Sequence, residues 1–271
     1  MRGVISAGMV DALQELGYTD TFDAVYGSSA GAINAAYFLA GQASLGTTIY
    51  FEDINTRAFI DFRRALRGRA IVDLEFLLQE VAGVRKPLDT ARVLQSMTPL
   101  NVLATDVVTA RAEVLSGFAD AAALMSALQA SASMPILTGG PFTRSGRQYF
   151  DASLSEPIPV PQAEADGHTH IIVLLTRPAD ERPGDGAFDR YFVAPRLRRV
   201  SPTLADRFVR RGGPYAELNR TIDAGSGPLG LAQTTALRPQ MPAISKLERR
   251  TEMLKAGAAE GRRVVAEVFG R

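Results

Sequence analysis

Apolar residues recur at helical spacing at Val4, Ile5, Met9, Val10, Leu13 and Leu16, and Gly17 closes the run, which predicts a helix of about three turns. "FDAVYG", Phe22 to Gly27, has the length and apolar density of a short strand, and Ala30 to Leu39 follows as a helix of small residues suited to close packing. Thr48 to Gly83 reads as mostly helical, most clearly in "LEFLLQEVAG", and another helix over Leu88 to Gln95 opens near Asp89. "LNVLATDVVT" and "AEVLSGF" predict strands joined by a turn around Ala110 and Arg111, "DAAALMSALQASASM" a helix running to Pro135, and "RQYFDASL" a strand ending in a polar turn. The apolar run His170 to Pro178 is expected to be a buried parallel strand. Past Pro178 the polar stretch "ADERPGDGAFDR" predicts a surface loop, and "SKLERRTEMLKAGAAEGRRVVAEVF" predicts one long amphipathic helix or two in succession. Strands alternating with helices indicate an α/β sheet covered on both faces.

Composition narrows the chemistry more than the fold. A chain of 271 residues with no internal repeat is expected to form one globular domain. Having no cysteine, it excludes disulfides, thiol catalysis and cysteine-bound metal, and its two histidines argue against a histidine-rich zinc site. A formal charge of +1 supplies no overall field to attract nucleic acid, so no nucleic-acid partner is expected. The opening "MRGVISAGMVDAL" lacks the order of a signal peptide, and no segment approaches the roughly 20 apolar residues of a membrane span. A cytoplasmic protein, at most peripheral to a membrane, is the expectation.

The chemistry-bearing stretch is "VYGSSAGAINAAY", Val25 to Tyr37, where Gly27-Ser28-Ser29-Ala30-Gly31 fits G-x-S-x-G between a predicted strand and a predicted helix. A nucleophile on so sharp a turn needs small neighbours on either side, and Ser29 at a helix start meets unpaired N–H groups and a dipole that favours negative charge. A small-residue turn can match this pattern without function. A phosphate-binding loop fits less well, because no lysine follows the glycines. An α/β-hydrolase would spend several strands before its elbow, whereas here the elbow arrives at residue 29.

Five segments resemble the patatin-like phospholipase family in its own order. They are "RGVISAG" (Arg2 to Gly8), "GSSAGAINAAY" (Gly27 to Tyr37), "TDVVTARAEVL" (Thr105 to Leu115), "QASASMPILTGGPF" (Gln129 to Phe142) and "YFDASLSEPIPV" (Tyr149 to Val160). The resemblance implies a three-layer α/β fold with a mostly parallel central sheet and helices on both faces. It implies a single domain over 1–271, with a motif-bearing core to about 178 and a C-terminal extension over 179–271 packing on it. By the same resemblance Ser29 is the nucleophile, Asp151 its general base, the backbone of Arg2 and Gly3 the oxyanion site, and Gly27 and Gly31 the flanks of the elbow. Neither metal nor cofactor is implied, and the substrate is a phospholipid, lysophospholipid or other acyl-ester lipid. Members carry glycines and a strand ahead of the position of Met1, so residues upstream of Met1 are expected in the natural chain. The family's D-G-[GA] stands here as Asp151-Ala152-Ser153, a mild change unless residue 152 needs a positive φ. The alternative reading is a catalytically impaired patatin-like domain that binds lipid or a protein partner.

Other residues carry weaker signals. His168 and His170 read as hydrogen-bonded loop ends at the mouth of a strand, with no third metal ligand near them, although the order Ser29, Asp151, His168 would also suit a hydrolase triad. Arg196, Arg198, Arg199, Arg207, Arg210 and Arg211, interleaved with apolar residues, read first as a solvated or salt-bridged surface and second as a contact with an anionic membrane. Asp106 and Glu156 are turn residues, Glu156 a candidate support for the Asp151 loop, and Ser28 a small spacer whose side chain points away from that of Ser29.

Overall fold

The computed structural model describes residues 1–179, 187 and 189–270. Helix α1 (Val4–Glu15) stops where Gly17 turns the chain at φ +84°, and strand β1 (Val25–Ser28) runs through one residue into α2 (Ala30–Leu39). After α3 (Ala43–Glu52) the expected long helix gives way to a 3-10 turn at Phe62–Arg67, an antiparallel bridge between Ile60 and Val72, and a π-helical turn at Phe76–Arg85. The cause is local. Asp61 caps the 3-10 turn by accepting from the Arg63 N–H, and Gly68 ends it in the left-handed conformation, so neither end can extend into α-helix. Asp89 caps α4 (Thr90–Gln95) through the Arg92 N–H, as its position in the sequence suggests.

Strand β2 (Leu100–Asp106) organises the main sheet. It pairs in parallel with β1 and antiparallel with β3 (Ala112–Leu115), and Ala110 makes the turn between β2 and β3 at φ +55°. Helix α5 (Ala121–Ala132), capped by Asp120, leads to the hairpin β4 (Phe142–Arg144) and β5 (Arg147–Asp151), whose two turn residues Ser145 and Gly146 both take positive φ. β5 pairs antiparallel with β2. Helix α6 (Val160–Ala165) precedes β6 (His170–Leu174), which pairs in parallel with β7 (Gln233–Leu237) in a separate two-stranded sheet. Between β6 and β7 lie α7 (Ala194–Val200), α8 (Pro202–Arg210) and α9 (Gly212–Asp223), and α10 (Thr251–Phe269) follows β7. The expected parallel pairing is thus found where helices intervene between partner strands, at β1–β2 and β6–β7. The hairpins and β5 add antiparallel ladders around β2. Most of the predicted loop 179–190 lies outside the described residues.

Adjacent residues of β5 show the layering. Tyr149 packs into the large core with α1, α2, α5 and α10, while Phe150 packs with Leu197, Leu204 and Phe208 from α7 and α8, so helices cover both faces of the sheet. The carboxyl-terminal segment forms one helix, α10, and it lies against α1 at backbone distance. A Cβ on Gly8 would stand 2.0 Å from the Ala258 carbonyl oxygen, and one on Gly261 would stand 2.1 Å from that of Ile5. Arg262 fixes the pairing by bridging Asp11 and Glu15 on α1.

Candidate active site

The register of β2 brings two distant parts of the chain together. Leu103 pairs with Ser28 of β1 and with Val114 of β3, so those two strands occupy opposite flanks of β2. Ala104 pairs with Glu113 of β3 and with Asp151 of β5, so β5 lies on the same flank as β1. β1 runs with β2 and β5 runs against it. Their ends therefore meet, Ser28 at one position of β2 and Asp151 at the next.

At this junction Ser29 adopts φ +55° and ψ −126°, a conformation that costs an L-residue about 1–3 kcal/mol and is found where surrounding bonds enforce it. The enforcing group is Ser131, fully buried at the end of α5. Its hydroxyl accepts from the Ser29 N–H at 2.8 Å and donates to the Leu103 carbonyl at 2.5 Å. The next turn holds Asp151: its N–H donates to the Ser133 carbonyl at 2.8 Å, and its carbonyl accepts from the Thr105 hydroxyl at 2.9 Å. Of the Asp151 carboxylate oxygens, Oδ1 accepts from the Ser153 N–H at 2.8 Å, and Oδ2 is buried with no hydrogen-bond partner among the described residues. A buried, unpaired carboxylate oxygen is costly, and such groups are kept where they receive a proton or a ligand. Ala152 begins a 3-10 turn and is not among the positive-φ residues, so its Cβ is accommodated where the family has glycine.

The Arg2–Gly3 loop closes the site from the other side. A Cβ on Gly3 would stand 2.5 Å from the Ala30 Cβ and 2.6 Å from the Tyr50 hydroxyl, so only glycine lets the start of α1 rest on the start of α2. The Gly3 carbonyl accepts from the Asn34 amide at 2.9 Å and the Ser6 hydroxyl at 3.0 Å, and Tyr50 donates to Asn34 at 3.0 Å. The amino-terminal ends of α1 and α2 thus converge beside Ser29, and their dipoles favour developing negative charge there. Asn34, Tyr50 and Ser131 carry no signal in the sequence: Asn34 and Ser131 act across the fold on backbone atoms, and Tyr50 acts on the Asn34 side chain.

The elbow glycines are not equivalent. A Cβ on Gly27 would lie 2.5 Å from the Ala32 Cα, so that residue must be glycine. Gly31, expected to be needed for the same reason, has open space at its Cβ position and lines the cavity instead. That cavity, about 1670 Å³, also takes in Ser29 and Asp151 and has an apolar lining that includes Phe59, Leu74, Leu77 and Leu137. Its size and lining suit an acyl chain.

His168 and His170 do not join Ser29 by any described bond. The Nε2 atom of His168 lies 3.2 Å from the Tyr26 hydroxyl, which itself donates to Asp166, and the Nδ1 atom of His170 lies 3.1 Å from the Thr169 hydroxyl. Asp106 is held in its turn by the Thr109 N–H and by Arg147; burial pushes its carboxyl up, but these partners prevail and leave it below the usual carboxylate range. Glu156 does brace the Asp151 turn. Its N–H donates to the Ala152 carbonyl at 2.8 Å and its carbonyl accepts from Ser28 at 3.3 Å, so Ser28 is a tie as well as a spacer. In the arginine cluster, Arg198 pairs with Asp206, Arg211 pairs with Asp189 and stacks on Phe208, and Arg196 donates to the Phe192 carbonyl. Arg199, Arg207 and Arg210 have exposed side chains. No group of three or more histidine, aspartate or glutamate side chains among the described residues could hold a metal, and no described helix is long and apolar enough to cross a membrane.

The family model for patatin-like phospholipase matches residues 1–164. A relative from Escherichia coli strain K12, the uncharacterized protein YjjU, is 23% identical over 286 aligned residues, covering 98% of this chain and 75% of its own.

Proposed function

The chain belongs to the patatin-like phospholipase family, and on that premise we propose that it is a serine acyl hydrolase working through a Ser29–Asp151 dyad. Family membership supports a lipid acyl hydrolase; the residues and steps are our reading. The Ser29 Oγ attacks the ester carbonyl of an acyl lipid while Asp151 Oδ2 takes its proton, and the backbone N–H groups of the Arg2–Gly3 loop receive the oxyanion. Collapse of that intermediate expels the alcohol, protonated by Asp151, and leaves an acyl-serine. Water then attacks the acyl-serine with Asp151 as base, the proton returns to Ser29, and the fatty acid departs. Residues 1–271 act as one domain in this reading, with the segment after 178 packed on the motif-bearing core.

The observation that carries the proposal is the junction on β2: a strained serine and a buried carboxylate oxygen without a hydrogen-bond partner among the described residues, at adjacent positions on the same flank. The experiment is release of fatty acid from phospholipid, lysophospholipid and monoacylglycerol by the wild type and by Ser29→Ala. Release that disappears in the variant, with unchanged circular dichroism, supports the mechanism. Equal release by both proteins removes Ser29 from it, and no release by either favours a domain that binds lipid or a partner without turning it over.

A further inference from the structure

We propose that residues 61–71 form a membrane-docking loop whose tip, Phe62 to Arg69, seats the protein on an anionic lipid surface. The two limbs of the loop are tied together at its base. The Asp61 N–H donates to the Ile71 carbonyl at 2.9 Å, the Asp73 N–H to that of Phe59 at 2.9 Å, and the Val72 N–H to that of Leu137 at 2.7 Å. Phe59, Val72 and Leu137 line the cavity that also takes in Ser29 and Asp151. The base of the loop is therefore part of the cavity wall, and the exposed tip stands on the outer side of that wall. Docking there places lipid beside the cavity read above as the acyl site, yet the docking itself needs no turnover and stands apart from that reading.

The tip combines two features that a merely solvated turn does not need. Phe62 is 55% exposed and Leu66 88% exposed, and on a 3-10 turn they stand about 8 Å apart along its axis. Between positions 57 and 73 there are five arginines against two aspartates. Asp73 pairs with Arg64, which also donates to the Ala58 carbonyl, and Asp61 accepts from the Arg63 N–H. The side chains of Arg57, Arg63, Arg67 and Arg69 are exposed and have no partner among the described residues. Cations alone would suit any polyanion, and apolar side chains alone any apolar surface. Together they match an anionic bilayer, where Phe62 and Leu66 enter the acyl boundary and the guanidinium groups meet head-group phosphates. Other surfaces lack one half of this match. Leu229 and Leu231 are also exposed, but no basic residue occurs from Gly225 to Leu237. In the carboxyl-terminal arginine cluster, Arg198 and Arg211 are paired with Asp206 and Asp189.

The test is co-sedimentation with vesicles of phosphatidylcholine alone and of phosphatidylcholine mixed in equal parts with phosphatidylglycerol. Wild type and Ser29→Ala should bind the mixed vesicles equally, and more weakly as salt is raised. Binding should fall roughly a hundredfold in Arg63→Ala/Arg67→Ala/Arg69→Ala and about tenfold or more in Phe62→Ala/Leu66→Ala, with circular dichroism unchanged. The chain contains no tryptophan, so Leu66→Trp adds a single fluorophore at the tip, and its emission should shift to the blue on the mixed vesicles. The proposal is overturned if the wild type binds neither vesicle, if it binds both equally, or if both multiple variants bind as the wild type does. A loss that follows the arginines alone, with Leu66→Trp emission unshifted, would make the loop a surface for polyanions such as nucleic acid and overturn the membrane assignment.

Discussion

Ser29 is held in an unfavourable backbone conformation by one hydroxyl, that of Ser131, and the consequence can be measured. Replacing Ser131 with alanine leaves the Ser29 N–H and the Leu103 carbonyl without their partner. The variant should lose about 1–3 kcal/mol in urea unfolding and should also lose activity, since the elbow relaxes once its clamp is gone. Unchanged stability together with unchanged kcat would show that the turn is enforced by something else. At Asp151 the relevant contrast is with His168, whose ring is engaged with Tyr26. Asp151→Asn should cost several orders of magnitude in hydrolysis and His168→Ala little, and wild-type activity should persist below pH about 6.5, where a histidine base would protonate. Loss of activity in a folded His168→Ala, or a fall in rate through that pH, would contradict the dyad. The proposed roles of Ser29 and Asp151 are suggested by the sequence, the first by its G-x-S-x-G motif and the second by the family resemblance. Ser131 and Asn34 are not, since they act through single bonds to backbone atoms that only the docked helices bring near.

Whole elements are positioned by contacts of a different kind. Helices α1 and α10 touch through Gly8 and Gly261, where there is no room for a side chain. Gly8→Ala and Gly261→Ala should each destabilise by about 1–3 kcal/mol or more, read as a lower denaturation midpoint; full stability would mean that the helices separate freely. The loop before β7 depends on Glu164, fully buried, whose carboxylate accepts from the N–H groups of Leu229, Leu231 and Ala232 at 2.6, 2.6 and 2.9 Å. Burial pushes this carboxyl up, but the three N–H bonds prevail and bring it below its ordinary value. Because its folded pKa lies below the unfolded one, its stabilisation is present above about pH 4.3 and fades as the pH falls through the folded value. Glu164→Gln should therefore be less stable than wild type at pH 7 by about 1–3 kcal/mol, with the gap narrowing below pH about 4. A gap independent of pH would assign the loss to packing. The capped helices α4 and α5 are readable from Asp89 and Asp120, whereas β7 is not: "QTTAL" is short and half polar, and it becomes a strand only by pairing with β6.

At the scale of the molecule, the sheet, its helical layers and the glycine-lined contact of α1 with α10 support one cooperative unit spanning the motif-bearing core and the carboxyl-terminal helix. Near-UV and far-UV signals should then report coincident unfolding transitions, and two separated transitions would divide the chain. The α/β class follows from alternating apolar runs, but the flank on which β5 meets β2 is a tertiary choice that no local pattern encodes. Hydrolysis should not depend on calcium, since a serine nucleophile needs no metal to activate it and the chain has no D-x-[DN]-x-[DN]-G loop. Activity lost to a chelator and restored by calcium would reject this mechanism. The central claim, that Ser29 is activated by Asp151, is tested most directly by peptide mass spectrometry after reaction with a fluorophosphonate. One adduct on Ser29 is expected in the wild type, none in Ser29→Ala, and much slower labelling in a folded Asp151→Asn. Labelling of another residue, or labelling at the wild-type rate in Asp151→Asn, would contradict it.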